Sequence, residues 1–345
     1  MRRLGSRPRR WAAALCGLIA VLAGEGPGEA AGGRLTVYSA LDERVTEELV
    51  RAFGAHSGID TEVLAIGAAG TLAARIRGEP GGSPADVFVG GSADAHASLA
   101  AAGLLRPYES PALAGSGIAP AFVDAGGHWH GWYLSTLSII VNRDRYRTVF
   151  ASTNPPLPKT WDDLLQPAYR GHLTMPSPVT TGAGYLFVAT QVFRLGEEKA
   201  FEYLRRVVAN AGQVTPTVTL AVQLVARGDA ILAVNWSHEA LALRGTARTL
   251  GVIIPPDTGF EIGCVSIVKG GPNPDGAEAF VDFLLGKAAQ ELIARVYLRH
   301  PTRPDAKPAT GIPAMSELGF VDSDRDWAVE NKARLQKRWR AEIER

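Results

Sequence analysis

The chain has 345 residues, of which 21% are charged, and its formal net charge is +1. That balance offers no bulk field for a nucleic acid or an acidic membrane, and the length suffices for two packed lobes with large cores. Cys16 and Cys264, the two cysteines, make neither a CxxC pair nor a Cys/His cluster, which argues against a structural zinc site.

In chain order, the first thirty residues stand apart. Arg2, Arg3, Arg7, Arg9 and Arg10 give a basic start, and Trp11 to Ala23 is apolar but too short to span a bilayer. Gly28-Glu29-Ala30 offers small residues for cleavage, so residues 1–30 are expected to be a secretory signal peptide. Arg9-Arg10 also allows twin-arginine export. The mature chain keeps one thiol, Cys264, and no internal disulfide.

Leu35 to Ser39 is a short β-rich run. Val45, Leu49, Val50 and Phe53 then recur at helical spacing, and Gly58 ends that helix. Ile59 to Ile66 predicts a strand, Thr71 to Ile76 a helix, Ala85 to Val89 an apolar strand, and Asp94 to Ala102 a helix. Strand and helix in alternation mark a parallel sheet with helices on its faces. Leu137 to Asn142 is a further strand. After the Pro-rich stretch Asn154 to Pro158, Thr160 reads as the N-cap of an amphipathic helix. A second unit follows: strand Gly171 to Met175, helices Gly182 to Phe193, Lys199 to Ala209 and Leu220 to Arg227, strand Ala230 to Asn235, a helix from His238, and strand Thr249 to Ile254. Cys264 to Val268 is apolar again, Asp275 to Leu285 is helical, and the tail from Arg325 to Glu344 is a charged amphipathic helix.

Leu35-Thr-Val-Tyr-Ser39, Pro84-Ala-Asp-Val-Phe88, Lys159-Thr-Trp-Asp-Asp-Leu164, Thr181-Gly-Ala183, Leu224-Val-Ala-Arg-Gly-Asp229, Phe260-Glu-Ile-Gly263 and Lys269 to Asn273 are weak motifs singly. In this order and spacing the chain resembles the periplasmic substrate-binding proteins of ABC importers, in the branch shared by ferric-ion, phosphonate and hexose-phosphate binders. The resemblance covers the mature chain. It implies a two-lobed α/β clamshell of type II, each lobe a mixed, mostly parallel sheet flanked by helices. The expected N-terminal lobe is residues 31–136 plus 264–310, and the C-terminal lobe residues 137–263 plus 311–345. It also implies a monomeric periplasmic protein without cofactor, which holds a small solute between the lobes and delivers it to an inner-membrane permease.

Ferric ion wants anionic oxygens. In ferric members of the family a His follows the first strand, a Glu the third, and two adjacent Tyr a late strand. Those places fall here at Leu41-Asp42, Gly90-Gly91 and Asn235-Trp236, and no two Tyr are adjacent in the chain. A ferric cargo would need other oxygen ligands, and no metal site is assigned. The Thr181-Gly182-Ala183 place holds an oxyanion in the family. Physics points the same way, because the first amides of a helix lack internal partners and Gly182 lets an anion approach the backbone. Thr180 and Thr181 bring hydroxyls. Gly70 and Thr71, and Thr217 and Thr219, stand before two further helices. The same threonines also read as ordinary N-caps worth roughly 1 kcal/mol each. Asn235, His238, Glu239 and Glu261 are candidates for the polar body of the solute, with Ser39 and Ser92 at strand ends. The expected ligand is a small phosphorylated or phosphonate-type anion.

No GxSxG, HExxH, P-loop or GxGxxG frames a catalytic or nucleotide site, so no enzyme is expected. A sensor subunit that binds the same ligand and signals to a membrane receptor is the remaining alternative.

Overall fold

The computed structural model describes residues 33–79 and 82–344. The expected signal peptide lies outside the described residues. Among them, no helix is long and apolar enough to cross a membrane.

The chain opens with β1 (Leu35–Ser39), α1 (Glu43–Ser57), β2 (Thr61–Ala65), α2 (Ala69–Gly78), β3 (Val87–Ser92), α3 (Ala93–Ala101) and a short β4 (Leu105–Arg106). β1 runs between β2 and β3, parallel to both. Val37, Val87 and Val89 pack under Leu49 and Phe53 of α1, while Tyr38 and Phe88 turn the other way onto Leu72, Ile76 and Leu99. Both faces of these strands are therefore covered, which is why they read as apolar runs without alternation.

β5 (His130–Asn142) follows, thirteen residues long and buried throughout. After α4 (Arg143–Val149) come β6 (Leu173–Pro176), α5 (Gly182–Leu195), α6 (Glu197–Asn210), β7 (Ala211–Thr215), α7 (Val218–Arg227), β8 (Leu232–Trp236), α8 (Ser237–Leu243) and β9 (Leu250–Ile253). β6 lies between β7 and β8, parallel to both. Trp161, Phe187, Phe201 and Trp339 fill this second core. β10 (Phe260–Val268), α9 (Pro274–Leu285), α10 (Lys287–Val296) and β11 (His300–Pro301) return to the first sheet, and α11 (Arg325–Glu342) lies on the second core. On α11, Arg338 makes a two-pronged ion pair with Glu198 at 2.8 Å.

β5 belongs to both sheets. Its residues up to Thr136 pair with β10, antiparallel, and Tyr133 and Leu134 also pair with β11. From Leu137 on it pairs with β8 and β9 instead. The result is the two-lobed mixed α/β fold expected from the sequence.

Three local expectations change. Thr160 does not cap an α-helix: Asp163 Oδ2 reaches back to accept from the backbone N–H groups of Lys159 and Thr160 and from the Thr160 hydroxyl, and only a 3₁₀ turn, Asp162–Leu165, forms. β7 was hidden because Ala211-Gly-Gln-Val-Thr215 has few β-branched residues and gains its strand by pairing with β6. α10 was hidden behind α9, although Leu292 and Ile293 give it a buried face.

α5 is seated so closely on the turn before it that Gly184 has no room for a side chain. A Cβ there would lie 2.4 Å from the Pro176 carbonyl oxygen and 2.5 Å from the Ser177 carbonyl carbon, both backbone. Gly184→Ala is expected to destabilise the protein by roughly 1–3 kcal/mol, the usual range for overpacking. Urea unfolding of the mature chain checks this, and an unchanged midpoint would contradict the seating.

Candidate functional site

The start of α5 is the first piece. Thr181 caps it: its Oγ1 accepts from the Gly184 amide at 3.0 Å and donates to the Ser177 carbonyl at 2.7 Å. Thr180 donates its hydroxyl to the Pro216 carbonyl at 2.8 Å. A hydroxyl has one hydrogen, so neither threonine has a donor left for a solute. What stays open is backbone. Among the described residues the amides of Gly182 and Ala183 find no backbone partner, as the geometry of a helix start requires. Gly182 is exposed, while the Ala183 side chain is buried.

Gly182 forms part of the wall of a cavity of about 670 Å³. Gly70, at the start of α2, and Ser92, at the N-cap of α3, line it too, and Ser92 makes no side-chain cap hydrogen bond. Gly91 brings those two starts together. Its φ is +78°, and a Cβ on it would fall 2.2 Å from that of Ala69, so only glycine fits. Glu261 of β10 lines the cavity opposite Gly182, its Oε2 4.0 Å from where a Gly182 Cβ would sit. Lys332, stacked over the Tyr185 ring at 5.3 Å, and Arg325, over Trp129 at 4.7 Å, close the far end beside Asp94.

The other candidates do not line this cavity. Thr71 is exposed. Ser39 is fully buried, its hydroxyl bonded to that of Thr46 at 2.7 Å, and holds the turn after β1. α7 starts two residues earlier than expected: Thr217, not Thr219, is its cap, accepting from the Leu220 amide, and Thr219 lies exposed in the first turn. Asn235 is fully buried, donating to the Val218 carbonyl at 2.7 Å and accepting from the Trp236 amide at 2.8 Å. It fixes α7 rather than offering a free group. His238 opens α8 with its ring stacked on Trp236, its Nε2 3.7 Å from Glu239 and its Nδ1 without a partner among the described residues.

Burial sets the electrostatics. It pushes the Glu261 carboxyl up to about 7, helped by Asp94 and opposed by Arg299 and Lys332. Burial also raises Glu239. It drives His238 well below the usual imidazole range, with Arg299 and His300 adding to the effect. Arg299 and Tyr297, which approach this group, carry no sequence pattern of their own. Only the return of β11 to β5 brings them in.

A two-lobed fold with a cavity walled by β10 and by the starts of α2, α3 and α5 is the architecture of a solute-binding protein. The chain belongs to the bacterial extracellular solute-binding protein family, whose model matches residues 82–325. It is 30% identical over 320 residues to a protein of Haemophilus influenzae described as uncharacterized, covering 90% of this chain and 91% of that one. The structure of the periplasmic binding protein AfuA from Actinobacillus pleuropneumoniae, bound to exogenous fructose-6-phosphate, superimposes with a TM-score of 0.71 and 28% identity, over 90% of this chain and 98% of that one. The major ferric iron-binding protein of Neisseria gonorrhoeae is 27% identical over 78% of this chain and 81% of its own length.

Glu261 gives the fold a measurable pH dependence. Its carboxyl holds a proton in the folded state at pH values where the unfolded chain has lost it. Its contribution is therefore complete below the ordinary carboxylate range and is lost as pH rises through about 7. Glu261→Gln keeps the neutral shape. The melting temperature of the variant relative to the parent is expected to climb from about pH 5 to about pH 8. A difference that stays flat across calorimetric scans would refute the assignment.

Proposed function

We propose that this chain is the periplasmic binding component of an ABC importer. It captures a small phosphorylated or phosphonate-type organic anion between its lobes and hands it to the permease, without catalysis. One observation carries the reading: at the start of a helix of 14 residues the amides of Gly182 and Ala183 stand unengaged, and Gly182 lines the cavity. Two aligned donors with the helix dipole behind them suit a tetrahedral oxyanion. The likeness to a fructose-6-phosphate-bound protein supports it. The likeness to a ferric iron-binding protein raises the other cargo. Against that cargo, no group of three or more His, Cys, Asp or Glu that could hold a metal occurs among the described residues, and no two tyrosines are adjacent.

The lobes are proposed to meet inside β5, between Thr136 and Leu137. The return crossing is drawn between Ile253 and Phe260, since Phe260 already pairs with Thr136. Closure about these strands, favoured by a solute that touches both lobes, is the transport-competent step. A monomer suffices for it.

Gly182 occupies the first helical position, where proline is well tolerated, and Thr181 before it is extended with φ −132° and ψ 148°. Gly182→Pro therefore deletes one amide donor while sparing the helix, and Gly182→Ala is the control that keeps it. A ligand at about 100 times its dissociation constant adds roughly 2.7 kcal/mol of stability. Thermal shift is read against hexose phosphates, glycerol phosphates, 2-aminoethylphosphonate, inorganic phosphate, ferric citrate and polyamines. A phosphorylated or phosphonate compound is expected to stabilise the parent. Gly182→Pro should lose roughly ten- to a hundredfold in affinity for it, the worth of one hydrogen bond to a charged group. A shift by ferric citrate alone would overturn the reading.

A further inference from the structure

The edge of β5 opposite β10 changes hands at one point. β8 occupies it as far as Trp236, opposite Leu137, and β11 takes it up at His300, opposite Leu134. Where β8 ends and α8 begins, the Ser237 and Thr136 hydroxyls still meet across the edge at 2.9 Å. His238 from one side and Arg299 from the other thus come level with Ser135. On its other edge Ser135 pairs with Glu261. Directly opposed residues of antiparallel strands present their side chains on the same face, so this register, continued one residue before β11, puts Arg299 on the face of Glu261, which lines the cavity. Their backbones are two strand spacings apart, on the order of 10 Å.

The state of Arg299 is unusual. Its guanidinium carbon lies over the Tyr297 ring, 3.9 Å from the centroid. Its Nε is buried and has no partner among the described residues. Glu239 and Glu261 feel its charge, yet among the described residues neither closes an ion pair with it. Beside it, His238 Nδ1 is likewise buried and unpartnered. The guanidinium thus keeps its Nε donor open, one prong of the fork that matches a carboxylate or phosphate. A buried charge-bearing group without a partner is costly, so the arrangement is set up for an incoming acid.

Resting on the reading of the α5 start as an oxyanion site, we propose that Arg299 is a second anion-recognition point and that the solute carries two acidic groups. A phosphoryl or phosphonyl end sits on the amides of Gly182 and Ala183. A carboxylate or second phosphate, joined to it by a short hydroxylated chain, sits on Arg299, and Glu261 bonds the hydroxyls between. Burial favours the protonated form of Glu239 and Glu261 and so limits their neutralisation of Arg299.

Matched pairs differing in one acid test this. Isothermal titration of the parent compares 6-phosphogluconate with sorbitol 6-phosphate, and 3-phosphoglycerate with glycerol 3-phosphate. In at least one pair the two-acid member is expected to bind at least about tenfold more tightly, the worth of one charged hydrogen-bonded contact. In Arg299→Gln that preference is expected to vanish while the one-acid affinity changes less than about threefold, and Arg299→Lys should restore part of it. One-acid compounds binding as well as their two-acid partners would overturn the proposal and leave the oxyanion site at α5 standing. This comparison needs only the parent protein, so it decides the matter even if the variants fail to fold. Failure of every phosphorylated compound to bind the parent would overturn both.

Discussion

Everything in this fold hangs on β5 being shared. A strand of thirteen buried residues gives its first half to one sheet and its second half to the other. Each lobe is thereby anchored to the same continuous strand, and the chain must cross back to complete the first sheet. β10 does so in antiparallel register and places Glu261 at the crossing. The cavity exists because helix starts from both lobes end near that crossing. Open α/β sheets bind ligands where strand ends and changes of pairing leave a crevice, and this molecule has two such changes on one strand.

Within the crevice the useful distinction is between polar groups already engaged and those left open. Thr180, Thr181, Asn235 and Ser39 satisfy backbone or neighbouring hydroxyls and so fix the elements behind the cavity without lining it. Gly182, Ala183, Ser92 and Arg299 are left with donors that the protein itself does not use. Buried polar groups are nearly always paired in folded proteins. A site whose open groups are mostly donors, under carboxyls pushed toward neutrality, is complementary to acceptors.

Much of this was legible in the sequence. The apolar run Ala85 to Val89 gave β3, the alternation from Ile59 to Ile66 gave β2, and the spacing of Val45, Leu49 and Phe53 gave α1. The glycine and threonines before α5 gave its start. Gly70, Ser92, Gly182 and Glu261 were all named from sequence and all line the cavity. The roles of the threonines were less legible, because a hydroxyl's single hydrogen is assigned by tertiary contacts. Thr180, for example, is engaged by Pro216, 36 residues on. Arg299 was invisible for a stronger reason. Its position depends on the register of a two-residue strand, His300–Pro301, against a strand far earlier in the chain. No local periodicity encodes that, and Tyr-Leu-Arg-His carries no motif.

The position of Glu261 bears on what the site rejects. A carboxyl between the two proposed anion-recognition points looks counterproductive if it is ionised, since it would repel both ends of the proposed solute. Raised to about 7, it is partly protonated near neutrality and can donate as well as accept. A fully ionised inorganic anion can only accept from the carboxyl's proton, and leaves the carboxyl's other oxygen without a donor beside a negative charge. A hydroxylated chain meets both of its hydrogen-bonding needs at once. Discrimination of this kind is strong because the wrong ligand strands a buried polar group rather than merely losing a contact. On this argument Glu261 contributes less to raw affinity than to the choice of an organic anion over the free phosphate or sulfate that surrounds it.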